Sequence, residues 1–170
     1  MGKGTLIRGL VELVPGLRLA VSATTRAARP GESNGSDYWF LGPDEFERRA
    51  RAGDFVEHAE YAGNRYGTLR SELERPADGI VLEIDVQGAR QVRETLPEAT
   101  QVFIAPPSVS VLGERLEARG SDSPEQVKAR LAEAPGELAA QAEFARVVVN
   151  DDLERAQAEL VDLAARVCGR

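Results

Sequence analysis

Apolar positions along the chain switch repeatedly between helical and strand spacing. Leu6, Leu10 and Leu13 share one helical face, Gly16 closes that helix, and residues 17–21 follow as a short strand. Residues 44–52 predict a helix ended by Gly53, residues 55–61 a strand, and Gly63-Asn64 a turn leading into Tyr66-Gly67-Thr68. The run 80–85 is β-branched and almost continuously apolar before it ends in acids, as expected of a parallel strand buried on both faces. Residues 101–105 form another short strand, and Val109, Leu112 and Leu116 mark one face of the helix after it. Ser123 is placed as an N-cap, with Pro124 at the first helical position and Gln126 at the capping-box position of a long helix. Residues 147–149 read as a last core strand. Leu153, Ala156, Leu160, Leu163 and Val167 then repeat along a terminal helix. Helices alternating with strands predict an α/β fold around a parallel sheet, and carboxylates at the carboxyl end of such a strand point toward a ligand crevice.

Composition narrows the function. A chain of 170 residues, 42% apolar and 29% charged, suits one domain with its own core and room for inserted subdomains. The net charge of -7 argues against a general nucleic-acid binder, so an anionic ligand requires a local arginine cluster. Residues 24–37, rich in Arg, Gly, Pro, Ser and Asn, are a loop with polar groups to supply one. Cys168 is the only cysteine, which excludes an internal disulfide and a cysteine-rich zinc site and fits a reducing compartment. His58 is the only histidine and has no partner with which to share a metal. No run approaches the roughly 18 to 20 apolar residues of a membrane span, and no basic-then-apolar leader precedes the first helix, so a soluble cytoplasmic protein is expected.

Gly2-Lys3-Gly4-Thr5-Leu6 reads as the back half of a G-x-x-x-x-G-K-[ST] loop running into a helix. In such a loop backbone N–H groups wrap phosphates and the lysine reaches the β/γ oxygens. The strand before the loop and most of its N–H cradle would lie ahead of residue 1.

Further motifs follow in order: Ser22-Ala23-Thr24-Thr25-Arg26-Ala27-Ala28-Arg29-Pro30-Gly31-Glu32, then Asn34-Gly35, Asp37-Tyr38, Phe55-Val56-Glu57 and Gly63-Asn64-Arg65-Tyr66-Gly67-Thr68. Beyond them lie Leu82-Glu83-Ile84-Asp85-Val86-Gln87-Gly88-Ala89, Phe103-Ile104-Ala105-Pro106-Pro107-Ser108, Arg115-Leu116-Glu117-Ala118-Arg119-Gly120 and Val149-Asn150-Asp151-Asp152. Through these motifs the chain closely resembles the guanylate kinases, from residue 2 into the terminal helix. The resemblance implies a P-loop NTPase-type three-layer α/β/α fold with a parallel sheet core. It places the core at about 1–23, 80–112 and 132–170, an inserted GMP-binding subdomain at about 24–79 and a lid at about 113–131, with the first strand missing from this chain. The implied reaction is phosphorylation of GMP by ATP, with Mg²⁺, and GMP and ATP are the implied partners.

Chemistry explains the residue types. Guanine presents N1–H and an exocyclic amine as adjacent donors, and one ionised carboxylate accepts from both; the resemblance gives this task to Glu57. Ser22 and Thr68 match small hydroxyl contacts to the base, and Glu83 joins the implied GMP-binding set. Arg26 and Arg29 supply planar forked donors to a phosphate, and Tyr38 and Tyr66 add phenolic hydroxyls. On the donor side the resemblance assigns ATP to Gly2, Lys3, Gly4 and Thr5, to the lid arginines Arg115 and Arg119, and to Asn150. The implied catalytic group is Lys3, Arg115, Arg130 and Asp85, the aspartate organising the metal's water shell or the loop. The metal has no direct carboxylate ligand and is held through phosphates, with Thr5 as its candidate side-chain contact. Asn150 has a second local explanation, since Asn-Asp-Asp also suits a helix N-cap, and the two are compatible.

Two departures stand out. A full family member would have a strand and a Gly-Pro-Ser-Gly-x loop before Gly2, and the expectation is that the reading frame begins upstream of Met1. Loss of a central strand removes buried side chains worth roughly 1.5 to 3 kcal/mol each, against a total stability of about 5 to 15 kcal/mol. Residues 74–79 are also short for the family, and Pro76 should end the preceding helix early. Two alternatives to a kinase stay open at this level. One is a non-catalytic binding module, since relatives of this fold hold phosphopeptides in the monophosphate pocket but usually lack the lysine and lid arginines present here. The other is an inactive truncated product. His58 and Cys168 receive no functional role, and Trp39 is expected to pack beside Tyr38.

Overall fold

The computed structural model describes residues 2–119 and 124–169. In chain order its elements are α1 (Lys3–Leu13), β1 (Leu17–Leu19), β2 (Ser22–Thr24), β3 (Trp39–Phe40), α2 (Pro43–Ala52), β4 (Phe55–Tyr61), β5 (Asn64–Leu69), α3 (Arg70–Leu73), β6 (Gly79–Val81), α4 (Val86–Thr95), β7 (Phe103–Ala105), α5 (Val109–Arg119), α6 (Pro124–Ala139), β8 (Val147–Val149) and α7 (Leu153–Val167). The α/β class read from the sequence holds. Two compact units divide the chain, Gly16–Ala99 and Met1–Pro15 with Thr100–Arg170.

In the unit Gly16–Ala99, β1 and β6 pair in parallel, Leu17 opposite Gly79 and Leu19 opposite Val81. The strand expected over 80–85 therefore stops at Val81, half-buried instead of enclosed on both faces. Its last rung is the Ala20 N–H donating to the Val81 carbonyl at 2.9 Å. The next N–H, of Val21, faces away from β6 and donates to the Glu72 carboxylate at 3.1 Å, and Ser22 already pairs with Thr68 in the other sheet. Asp85 then caps a helix, α4, that the apolar spacing did not predict; its Oδ1 accepts from the Gly88 N–H at 2.8 Å.

A second sheet runs in the order β3-β2-β5-β4, with β2–β3 parallel and the other two pairs antiparallel. Residues 22–24, expected to span the core boundary and the start of a loop, form its strand β2. The β4–β5 turn is Ala62-Gly63, both at positive φ (49° and 75°), one position earlier than expected, and Asn64 already pairs with Tyr61. One face of this sheet packs on α2 through Ala23, Phe46, Phe55 and Leu69, with Trp39, Leu41 and Ala50 around them. The prediction for α3 holds: it ends at Leu73, ahead of Pro76.

In the other unit, β7 and β8 pair in parallel, α1 packs along α7, and α5 and α6 meet through Leu112, Leu116 and Ala134. Ala156 and Leu160 of α7 are buried, but Leu153, Val167 and, on α5, Val109 are exposed at helix ends, where helical periodicity outruns the packed surface. Val148 is buried while Val147 and Val149 are exposed, so the strand expected at 147–149 enters the core by one face. The expected N-cap Ser123 and residues 120–122 of the expected lid lie outside the described residues.

Candidate active site

A β-bulge creates the site. Phe55 stands opposite Leu69, yet Glu57 stands opposite Thr68, so Val56 is the extra residue of β4. In a regular strand Phe55 and His58 would lie on opposite faces; with one residue inserted they share a face, and their rings lie 5.7 Å apart. The same insertion sends Glu57 to the opposite face. Cross-strand pairs Glu57–Thr68, Ser22–Thr68, Thr24–Tyr66 and Ala59–Tyr66 then line that face, the one away from α2. The expected base-contact residues Ser22, Glu57 and Thr68 thus stand in one row across three strands. Gly67 permits the close approach of β4, since a Cβ there would lie 2.7 Å from the Glu57 carbonyl and 2.8 Å from a Phe55 ring carbon.

Glu57 is only 4% exposed. Burial pushes its carboxyl up to about 7, the charge of Asp85 adds to the rise, and the Thr68 hydroxyl and N–H oppose it. The buried Thr68 Oγ1 has no hydrogen-bond partner among the described residues. A buried acid beside an unsatisfied hydroxyl is a site able to receive a polar ligand with donors and acceptors of its own.

The phosphate-type residues gather on the same face. The Tyr38 and Tyr66 rings lie 6.2 Å apart, and the Arg26 guanidinium sits 5.3 Å from the Tyr38 ring centre and 5.8 Å from that of Phe40. Arg26 donates to Glu32 at 2.8 Å and to the Ala27 carbonyl at 2.7 Å, and the Arg29 N–H donates to Glu32 at 2.7 Å. The hydrogen bond from Arg26 holds the Glu32 carboxyl below its usual range. Burial raises the Tyr38 phenol, and the nearby charge of Glu83 raises it further, which brings Glu83 into this cluster. Glu32 had no role assigned from the sequence; its opposite charge six residues after Arg26 was the available signal.

In the other unit Gly2 caps α1 at φ 75°, and Lys3, Gly4 and Thr5 form the helix's first turn, with Thr5 exposed. Asn150 is 4% exposed, and a Cβ on Gly2 would come within 2.5 Å of its side-chain nitrogen. The cap of α7 is Asp152, whose Oδ1 accepts from the Arg155 N–H at 2.8 Å, leaving the Asn150 amide at the α1 N-terminus. Arg115 donates to the Asn150 carbonyl at 3.0 Å. Arg130 lies half-buried on α6, and Arg119 is the last residue of α5.

Residues 1–166 match the family model described as guanylate kinase. The chain is 51% identical to a guanylate kinase of Symbiobacterium thermophilum, covering 94% of this chain and 77% of that protein. It is 48% identical to one of Rubrobacter xylanophilus, covering 98% and 88%. The crystal structure of guanylate kinase from Anaplasma phagocytophilum superposes with a TM-score of 0.80 at 33% identity, over 98% of this chain and 82% of that one.

Proposed function

Because the chain belongs to the guanylate kinase family, we propose that it transfers the γ-phosphoryl group of ATP to GMP, giving ADP and GDP, with the acceptor read by Glu57. The observation that carries this assignment is the row Ser22, Thr68 and Glu57, with a buried carboxyl and an unsatisfied hydroxyl side by side. Ionised Glu57 accepts both hydrogens of the guanine edge; adenine has no such donor pair, and its binding would leave the buried carboxyl unmatched. Arg26, Arg29, Tyr38 and Tyr66 hold the GMP phosphate, and the salt bridge to Glu32 keeps Arg26 oriented before substrate arrives. Lys3, Thr5 and the α1 N-terminus take the ATP phosphates, Arg115 and Arg130 spread positive charge over the transferring group, and Asn150 contacts the donor nucleotide. Transfer is direct and in line, without a covalent enzyme intermediate.

Among the described residues no group of three or more His, Cys, Asp or Glu side chains could hold a metal ion. The donor set that fits Mg²⁺ is the phosphate oxygens with the Thr5 hydroxyl, all hard oxygen ligands. Bound there, the ion supplies charge neutralisation. Asp85, already committed to capping α4, supports the loop. We assign the activity to the cytoplasm.

Coupled ADP release with GMP, AMP, dTMP and UMP tests the assignment. Turnover is expected with GMP alone, and Glu57→Gln should raise the KM for GMP by about 100-fold or more. Comparable turnover of AMP and GMP would overturn it.

A further inference from the structure

The strand that carries Glu57 is an edge strand, and α4 closes its edge with side chains. The Gln91 amide accepts from the His58 N–H at 3.1 Å and donates to the His58 carbonyl at 2.7 Å, the double bond a neighbouring strand would make. The Gln87 amide donates to the Glu60 carbonyl at 3.0 Å. β4 is thereby fixed against the first turns of α4, and Gly88 faces Glu57 across that junction. A Cβ on Gly88 would fall onto Glu57 Oε2, with Glu57 Cδ at 3.1 Å and the branched Cβ of Ile84 at 3.3 Å.

We infer that Gly88 is a positioning residue for guanine recognition: its missing side chain is the space in which the Glu57 carboxylate lies. The inference rests on Glu57 being the acid that reads the base. Gly88 is buried within α4 and is not among the glycines at positive φ, so backbone conformation does not require glycine there. Helix propensity favours alanine by about 1 kcal/mol. The glycine is therefore kept for space. An added methyl would meet chiefly the far end of the flexible Glu57 side chain, which can swing away at little cost to the fold, while Ile84 need give only by a few tenths of an ångström. What changes is the place of the two oxygens that must meet the guanine edge.

Gly88→Ala, Glu57→Asp, the double variant and Glu57→Gln, each in the full chain, test this by GMP and AMP calorimetry, KM for ATP and thermal unfolding. Gly88→Ala should weaken GMP binding by about 10- to 100-fold, as expected for a carboxylate displaced by roughly an ångström. AMP binding, KM for ATP and the thermal midpoint should hold, or the midpoint should rise. In the Glu57→Asp background the added methyl should cost nothing more, because the shorter acid has already left that space. Parent-like GMP binding by Gly88→Ala, with Glu57→Gln impaired, would overturn the role of Gly88 alone. Parent-like binding by Glu57→Gln would overturn the base reading beneath it as well. Equal losses for GMP, AMP and ATP with a lowered midpoint would mark Gly88 as structural and overturn the inference.

Discussion

Thr68 stands directly opposite Glu57 across the β4–β5 ladder, 1% exposed, with a hydroxyl that has no hydrogen-bond partner among the described residues. A buried unsatisfied hydroxyl costs about 1 to 3 kcal/mol, so removing it without changing shape should not harm the fold. Thr68→Val is expected to leave the thermal midpoint unchanged or raise it, while weakening GMP binding by about 10-fold through the loss of one hydrogen bond. Paired calorimetric binding and unfolding measurements check this. A lowered midpoint with unchanged GMP affinity would make the hydroxyl structural.

Glu57 gives a pH signature. Its carboxyl is pushed up to about 7 from an ordinary 4.5, first by burial and then by the charge of Asp85. The folded state thus holds this proton more tightly than the unfolded chain. The associated stability is full below the ordinary glutamate value and is lost as the pH rises toward about 7. On the proposed base reading GMP binding should have the opposite sign, because the guanine donors need the ionised carboxylate. Carbon-detected NMR of the carboxyl should show a midpoint near 7 in the free protein. The midpoint should fall when GMP binds, and also in Asp85→Asn, which keeps an oxygen for the α4 cap but removes the charge. A midpoint at the ordinary glutamate value in the free protein would refute the burial argument.

Glu72 is the other buried acid of the Gly16–Ala99 unit, 2% exposed, and it is fully partnered. It accepts from the Val21 N–H at 3.1 Å, the Trp39 indole at 3.2 Å and Arg18 at 2.9 Å. Burial raises its carboxyl, but these donors outweigh burial and hold it below the usual range. Its contribution to stability is therefore full above the ordinary glutamate value and is lost as the pH falls through the depressed one. Glu72→Ala strands a backbone donor, an indole and a guanidinium at once, at a cost of about 3 kcal/mol. At about 2 to 4 °C per kcal/mol, scanning calorimetry should show the midpoint lowered by roughly 6 to 12 °C. A shift within about 1 °C would show that the network is not a stabilising one.

The two buried acids show where sequence reading succeeds and where it stops. Glu57 could be singled out because the family resemblance rests on residue types in order: a carboxylate in the company of Ser22, Arg26, Arg29, Tyr38, Tyr66 and Thr68 is a pattern the chain itself displays. Glu72 was silent, because apart from Arg75 three residues on its partners come from β1, β3 and the loop at Val21, and no local spacing announces a carboxylate that satisfies donors from distant segments. Trp39 illustrates the same limit: it joins the α2 core, but its indole N–H goes to Glu72.

The sequence by itself determined the α/β alternation and most helices and strands, since periodicity is a property of the chain alone, and its order of motifs named the candidate acceptor residues. Tertiary structure decided the end of β6 at Val81, the helix α4 and the face on which Glu57 lies. A strand lasts only as long as a neighbour supplies hydrogen bonds, and the β1–β6 register ends at Leu19 and Val81. One inserted residue in β4 reverses the direction of every side chain beyond it, a consequence of pairing register that only the assembled β4–β5 ladder displays.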